Sequence, residues 1–153
     1  MNILMVCLGN ICRSPLAEGI LAAKAAAAGL DWTVDSAGTS AYHLGDAPDP
    51  RSVAIARQRG LDISQQTARQ FRVADFDQFD FIFAMDASNQ RDILRLARTD
   101  VDRTKVQAIL PYVGHPDLQN VPDPYWDDNG FAFVYDLLDS ACAILLEKLP
   151  TKQ

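Results

Sequence analysis

The sequence of 153 residues lacks the features that mark several large classes of protein. Basic residues are few, since 14 Lys and Arg stand against 20 Asp and Glu, which gives a net charge of −6. Nucleic acids and anionic membranes reward clustered Lys and Arg, so neither is expected as a main partner. Three cysteines without regular spacing do not make a disulfide framework and are typical of a reducing compartment.

Long apolar runs and internal repeats are also missing. The apolar run at residues 3–6 is far too short for a signal peptide or a membrane span. Two separated histidines, His43 and His115, do not make a metal-ligand set. No low-complexity tract or linker divides the chain, which is long enough to bury a full core. We therefore expect a single cytoplasmic domain over residues 1–153, assumed to be monomeric.

The pattern along the chain predicts an alternation of strands and helices. Short apolar or β-prone runs predict strands at residues 3–6, 32–34 (passing into 36–38), 79–85 and 105–110. Ser14-Pro15 is typical of a helix start, with Ser14 as N-cap, and Gly29 of its end. Further helices are predicted at residues 49–60, 87–98 and 130–149, with a proline- and aspartate-rich loop at residues 111–129.

This alternation indicates an α/β fold with a mainly parallel sheet. In such sheets, ligands bind beyond the carboxyl ends of the strands. The segment Cys7-Leu-Gly-Asn-Ile-Cys-Arg-Ser14 lies at such a place, between the first strand and the first helix.

Each polar residue of this segment suits a loop that binds an oxyanion. The helix dipole and unpaired backbone N–H groups favour thiolate over thiol at Cys7. The same N–H groups can hold phosphate oxygens, and the planar fork of Arg13 can bind two of them. Gly9 and Asn10 tolerate left-handed backbone, which a loop with inward N–H groups needs. A Cys-x5-Arg spacing alone is a weak pattern that also fits a plain turn into a helix, but its placement favours the functional interpretation.

A cysteine nucleophile also requires a proton donor for the leaving group, and Asp123 is the candidate. Pro122 and Pro124 stiffen the backbone around Asp123, and two large aromatic residues follow. An Asp-Pro pair in an acidic loop is often only a solvated turn. The rival acids Asp117, Asp127 and Asp128 lack the rigid aromatic context.

Taken together, these residues resemble the low-molecular-weight protein tyrosine phosphatases. The resemblance covers nearly the whole chain in the family's order. Besides Cys7–Ser14 and the following Pro-Leu-Ala-Glu, it rests on the segments DSAGTS (35–40), PDPR (48–51), ARQ (68–70), AMDASN (84–89) and DPY (123–125).

The resemblance implies a four-stranded parallel sheet with helices on both faces and hydrolysis of phosphotyrosine in two steps. Cys7 would attack phosphorus to give a cysteinyl-phosphate, Arg13 would stabilise the transition state, and Asp123 would act as acid and then as base. Ser14 would stabilise the thiolate, and Asn10 would hold the loop through neighbours such as Ser36. No metal or organic cofactor is expected. The residues expected to contact the substrate are Leu8, Gly9, Asn10, Ile11, Cys12, Ser14, Tyr42 and Tyr125.

The sequence departs from the family's pattern in two places. Gln65-Gln66 stands where the family often has a histidine, which affects only the fine support of the loop. Trp126 replaces a second tyrosine found in many members after Asp-Pro-Tyr, so regulation through that tyrosine is not carried over. The expected partner is a tyrosine-phosphorylated protein, and bacterial relatives often act on tyrosine kinases.

Three other activities are weaker interpretations of the same loop. An arsenate reductase needs two further relay cysteines, and residues 82–96 contain none. A phosphate-binding module would not need Cys7 together with Asp123. A phosphoarginine phosphatase is associated with threonine where Ile11 stands. Cys12, five residues after Cys7, could form a disulfide with it on oxidation or could simply pack beneath the loop.

Overall fold

The computed structural model describes residues 1–150, built around one four-stranded sheet. All neighbouring strands are parallel, and their order in the sheet is β2-β1-β3-β4. The strands are β1 (Asn2–Cys7), β2 (Thr33–Gly38), β3 (Phe81–Ala84) and β4 (Val106–Ala108). The carboxyl ends of all four strands therefore lie at one edge of the sheet, which is where the cysteine-containing loop follows β1.

Seven α-helices and one 3-10 helix connect or follow the strands in the described part of the chain. The 3-10 helix covers Pro124–Trp126. The α-helices are α1 (Arg13–Ala27), α2 (Pro50–Gln58), α3 (Asp75–Gln78), α4 (Ala87–Leu94), α5 (Asp100–Lys105), α6 (Ile109–Val113) and α7 (Gly130–Lys148). Within residues 1–150, no helix is both long enough and apolar enough to span a bilayer.

Alternate side chains of β1 bury into separate hydrophobic cores on the two faces of the sheet. Ile3 and Met5 belong to a large core that α1, α2, α6 and α7 complete. Leu4 and Val6 belong to a smaller core that contains Phe76 of α3 and Ile93 of α4 among its members. A central strand of a parallel sheet is buried on both faces, which explains why residues 3–6 form a continuous apolar run. The expected α/β fold with helices on both faces is confirmed.

The first helix begins earlier than the sequence predicts. Its N-cap is Cys12, and Arg13 is already helical, so Ser14 lies inside the first turn and its hydroxyl is not an N-cap. The helix predicted from residue 49 is α2, and Asp49 is its N-cap, since its side chain accepts a hydrogen bond from the backbone N–H of Arg51. The Ser14 hydroxyl is used in the site instead.

The region from residue 75 to residue 129 differs most from the sequence prediction. The third and fourth strands are shorter than predicted, and Ile109–Val113 forms α6 where a strand and then a loop were expected. The helix predicted at residues 87–98 ends at Leu94. Two short helices, α3 and α5, were not predicted, because four or six residues are too few for a helical period to show.

Candidate active site

The loop after β1 curls tightly because Asn10 adopts a left-handed backbone conformation, with φ of 57°. Asn10 is buried, and its side chain binds three elements at once. The Nδ2 group donates to Ser14 Oγ at 2.8 Å and to Ser36 Oγ at 2.9 Å, while Oδ1 accepts from the Arg69 backbone N–H at 3.0 Å. This one side chain therefore joins the loop to α1, β2 and the segment after α2.

The sulfur of Cys7 is buried at the base of the loop and accepts hydrogen bonds there. The backbone N–H of Asn10 donates to Sγ at 3.3 Å, and the Ser14 hydroxyl lies 3.0 Å from Sγ. Because Ser14 Oγ already accepts from Asn10, the Ser14 proton can be directed at the sulfur. These contacts hold the sulfur at the base of the loop, facing the cavity as a nucleophile must.

Arg13 is held rigidly beneath the loop, with only 3% of its side chain exposed. Its Nη1 donates to Asp86 Oδ2 at 2.7 Å and to the carbonyl oxygen of Val121 at 3.0 Å. Burial alone would lower the pKa of Arg13, but the charges of Cys7, Asp86 and Asp123 raise it above its ordinary value. The guanidinium therefore stays charged, and its Nη2 and Nε groups remain able to donate to an anion.

Asp123 lies at the mouth of the same site, at the N-terminus of the 3-10 helix. Its Oδ1 accepts from the backbone N–H of Tyr125 at 3.1 Å, and its Oδ2 lies 3.9 Å from Arg13 Nη2. The side chain is 38% exposed, so it can reach both a bound substrate and solvent. The rival acid Asp127 instead accepts from the backbone N–H of Asn129, and Asp128 pairs with Arg51.

One cavity of about 330 Å³ brings most of the candidate residues together. Asn10 and Ser14 lie beneath its floor and hold the loop without lining the cavity. Two of the lining residues, His43 and Trp126, were not among the expected substrate contacts. The cavity is lined by Cys7, Leu8, Gly9, Ile11, Cys12, Arg13, Tyr42, His43, Asp123, Tyr125 and Trp126.

Gly9 does not adopt the left-handed backbone conformation that the sequence suggested, because its φ is not positive. Its lack of a side chain matters for a different reason. A Cβ at Gly9 would lie 3.0 Å from Cδ2 of His43. At Gly38, in β2, a Cβ would lie 2.7 Å from the carbonyl oxygen of Leu8 and 3.1 Å from the Asn10 nitrogen. The backbone contacts at Gly38 leave no room for a side chain, whereas a side chain at Gly9 would require the His43 ring to shift.

Sequence reasoning missed the residues that support the site from a distance. Asp86 orients Arg13 from the loop after β3, 73 residues away in sequence. Glu18 of α1 accepts from the Ser36 hydroxyl at 2.7 Å and so ends a hydrogen-bonded chain that begins at Cys7. Asp86 lies in the segment AMDASN (84–89), and Glu18 ends the Pro-Leu-Ala-Glu segment after the loop. Both segments contribute to the family resemblance, but the sequence alone does not indicate a role for either residue.

Of the pair Gln65-Gln66, Gln66 supports the helix that follows the loop. Its Nε2 donates to the carbonyl oxygen of Pro15 at 3.0 Å, while its Oε1 is buried and has no hydrogen-bond partner among residues 1–150. The amide at this position therefore joins residue 66 to α1.

The other two cysteines are buried, neutral thiols. Burial, followed by the charges of Asp49, Cys7 and Asp123, raises the pKa of Cys12 to about 12. Burial also raises the pKa of Cys142, on α7, to about 12. Within residues 1–150, no cluster of His, Cys, Asp and Glu is arranged to hold a metal ion.

Comparison with known proteins gives consistent matches over almost the entire chain. The family model of low molecular weight phosphotyrosine protein phosphatases matches residues 2–153. A relative from Synechocystis sp., named as a low molecular weight protein-tyrosine-phosphatase, is 47% identical and covers 97% of this chain and 96% of its own.

Solved structures agree with the fold. YfkJ from Bacillus subtilis superimposes with a TM-score of 0.91 at 39% identity, covering 97% of this chain and 94% of that one. The Drosophila arginine phosphatase DARP also superimposes with a TM-score of 0.91, at 34% identity over the full length of both chains.

Proposed function

The chain belongs to the low molecular weight phosphotyrosine protein phosphatase family, and on this premise we propose that Cys7, Arg13 and Asp123 perform the hydrolysis. The family is a hydrolase family that removes phosphate from protein phosphotyrosine through a cysteinyl-phosphate. The observation that carries the assignment is the position of Cys7 Sγ, which accepts hydrogen bonds at the base of the cavity that Arg13 and Asp123 line.

In the first step, the phosphoryl group lies in the loop with its oxygens on the backbone N–H groups and on Arg13. Cys7 Sγ attacks phosphorus, the sulfur–phosphorus bond forms and the bond to the tyrosine oxygen breaks. Asp123, protonated at this stage, gives its proton to the departing phenolate. Because Asp86 and Val121 fix Nη1, the guanidinium is already oriented when charge develops on the phosphoryl oxygens.

In the second step, a water molecule attacks the cysteinyl-phosphate. The Asp123 carboxylate accepts a proton from this water, and the sulfur–phosphorus bond breaks to give inorganic phosphate. Ser14 Oγ, 3.0 Å from Sγ, donates to the sulfur as it regains negative charge. The reaction requires no metal ion or organic cofactor, since the loop and Arg13 supply the charge stabilisation.

The shape of the cavity supports phosphotyrosine as the substrate. Leu8, Ile11, Tyr42 and Tyr125 surround the route to Cys7, so a long aromatic side chain can bury its ring while its phosphate reaches the floor. Phosphoserine is too short for this. Ile11 offers no polar group to a guanidinium, so phosphoarginine is disfavoured although DARP shares the fold.

The remaining expectations about the protein's setting belong to the same proposal. Residues 1–153 form one phosphatase domain, monomeric and cytoplasmic, whose partners are tyrosine-phosphorylated proteins such as tyrosine kinases. The acidic net charge supports the expectation that nucleic acid and membranes are not partners.

Turnover of p-nitrophenyl phosphate without added metal, with and without vanadate, tests the assignment. Wild type should be active and inhibited by vanadate, whereas Cys7→Ser should be inactive and still bind vanadate, because the loop and Arg13 remain. Cys142→Ser, the same change at a buried cysteine outside the cavity, is the matched control and should stay active. More than trace activity in Cys7→Ser would rule out the covalent mechanism.

A further inference from the structure

Three apolar side chains at the mouth of the cavity are exposed to solvent: Leu8, Tyr42 and Trp126. We call them the rim. Trp126 is 88% exposed and Tyr42 is 83% exposed, although each also lines the cavity. The Trp126 ring contacts Tyr125 edge-on, with 4.8 Å between ring centroids. Exposed apolar surface next to a binding site is typical of a surface that contacts a ligand.

The polar surroundings of the rim are acidic. The segments 42–51 and 121–128, which carry most of the rim, hold five aspartates and one arginine. That arginine, Arg51, is already paired with Asp49 at 2.9 Å and with Asp128 at 2.6 Å. Its guanidinium also lies over the Tyr125 ring, 5.5 Å from the centroid, so it is fixed in place.

Histidine adds little positive charge at the mouth. His43 Nδ1 lies 3.3 Å from Asp46 Oδ2, so any charge on His43 is offset by that carboxylate. Arg13 is buried at the floor of the cavity, where its guanidinium binds the phosphoryl group and is not available to flanking residues. Asp46, Asp127 and Asp128 are exposed and lie within four residues of Tyr42 or Trp126 in the chain, and we call them the rim carboxylates.

We propose that the rim and the rim carboxylates select phosphotyrosine segments whose neighbouring residues are basic or apolar, and disfavour segments with acidic neighbours. The inference rests on the proposed function and adds to it the class of protein segment that the site accepts. A Lys or Arg beside the phosphotyrosine can lie over the Trp126 ring as a cation–π pair while its charge faces Asp127. A Glu at the same place would be repelled by these carboxylates, and the one arginine of segments 42–51 and 121–128 is already paired.

Three phosphotyrosine peptides that differ only in the two residues on each side of the phosphotyrosine test the inference. The flanking residues are Arg, Gln or Glu, and kcat/KM is measured at low ionic strength. The order should be Arg above Gln above Glu, with about tenfold between the extremes, because exposed charge pairs change affinity by about two- to fivefold each. The ratio should shrink in 0.5 M salt, since added ions screen exposed charges.

A double variant, Asp46→Asn and Asp127→Asn, tests whether the rim carboxylates cause the preference for basic flanking residues. Asparagine retains the acceptor that binds the Asn129 backbone N–H, so the loop keeps its shape. The ratio of kcat/KM for the Arg peptide to that for the Glu peptide should fall at least threefold. Asp31→Asn, the same charge change just before β2 at the opposite edge of the sheet, should leave the ratio unchanged. The ratio is taken within each variant, so changes in overall turnover cancel.

Two failures can be told apart. A wild type that hydrolyses p-nitrophenyl phosphate with vanadate sensitivity but treats the three peptides equally, or prefers Glu, overturns this inference and leaves the proposed function standing. A wild type inactive on p-nitrophenyl phosphate overturns the proposed function itself. A ratio that falls equally in Asp31→Asn would show that net charge, and not the rim carboxylates, causes the preference.

Discussion

Glu18→Gln should stabilise the protein above neutral pH. Glu18 lies largely buried on α1, where burial raises the pKa of its carboxyl from 4.5 to about 7. The hydrogen bond from Ser36 and the charge of Arg69 lower this pKa, while the charge of Asp35 raises it, and burial prevails. The folded chain therefore keeps a proton on Glu18 at a pH where the unfolded chain has lost it.

The sign and size of the effect follow from this difference in pKa. Between pH 4.5 and pH 7 the folded state binds more protons than the unfolded state, so stability falls as pH rises through that window. The loss is complete above the folded-state pKa and amounts to about 3 kcal/mol, at 1.36 kcal/mol for each unit of pKa. Glutamine has no proton to lose, and its Oε1 can still accept from the Ser36 hydroxyl.

The measurement is urea unfolding of wild type and Glu18→Gln from pH 4.5 to pH 8. The difference in unfolding free energy, variant minus wild type, should increase by about 3 kcal/mol across this range. Subtracting wild type cancels the titration of the other carboxylates. Glu147→Gln, at the chain's other glutamate, is the matched control, because that side chain is exposed. A difference for Glu18→Gln that stays flat with pH would refute the reasoning.

Three further predictions concern the catalytic loop and its neighbours. Asp123→Asn should lower kcat on phenyl phosphate by ~10² and should lower it less on p-nitrophenyl phosphate, whose leaving group needs little protonation; greater damage from Asp127→Asn would mean that the acid is misassigned. Mild peroxide should oxidise Cys7 and join it to Cys12, because the raised pKa of Cys12 keeps that thiol protonated and a poor first target. Intact mass should then show a loss of two hydrogens that thiol reverses, and sulfinic acid in wild type would contradict it. Phosphotyrosine peptides should exceed matched phosphoserine peptides by at least tenfold in kcat/KM, since burying most of the ring is worth ~2 kcal/mol. Ile11→Thr should reduce the ratio of kcat/KM for phosphotyrosine to kcat/KM for phosphoarginine. Equal kcat/KM on phosphotyrosine and phosphoserine peptides would show that the cavity does not bury the aromatic ring.

The sequence predicted the centre of the fold well because the signals there are local. The run at residues 3–6 must be apolar in a strand buried on both faces, and Pro50 and Gly60 mark the limits of α2 directly. The secondary structure of residues 105–110 was harder to predict. The apolar run continues from β4 into α6, and a short apolar run does not show which period it follows.

The sequence predicted the site residues that lie together in one segment. It did not predict those that reach the site from distant parts of the chain. Cys7 to Ser14 lie in one segment, and Asp123 stands out through its prolines. Asp86 and Glu18 are ordinary acidic residues in sequence, and only the packing of α1 against the sheet shows that one orients Arg13 and the other closes a buried hydrogen-bonded chain.

The close approach of Gly38 to the loop limits how such a site can be transferred to another protein. The backbone of Leu8 and Asn10 lies against a position in β2 that leaves no room for a methyl group, and Ser36 on the same strand receives the Asn10 side chain. Copying residues 7–14 into a different strand–helix junction would therefore reproduce the reactive groups without the curvature that directs them. A designer would need to graft a pair of adjacent parallel strands, with the glycine and the serine on the second strand, to obtain a working anion site.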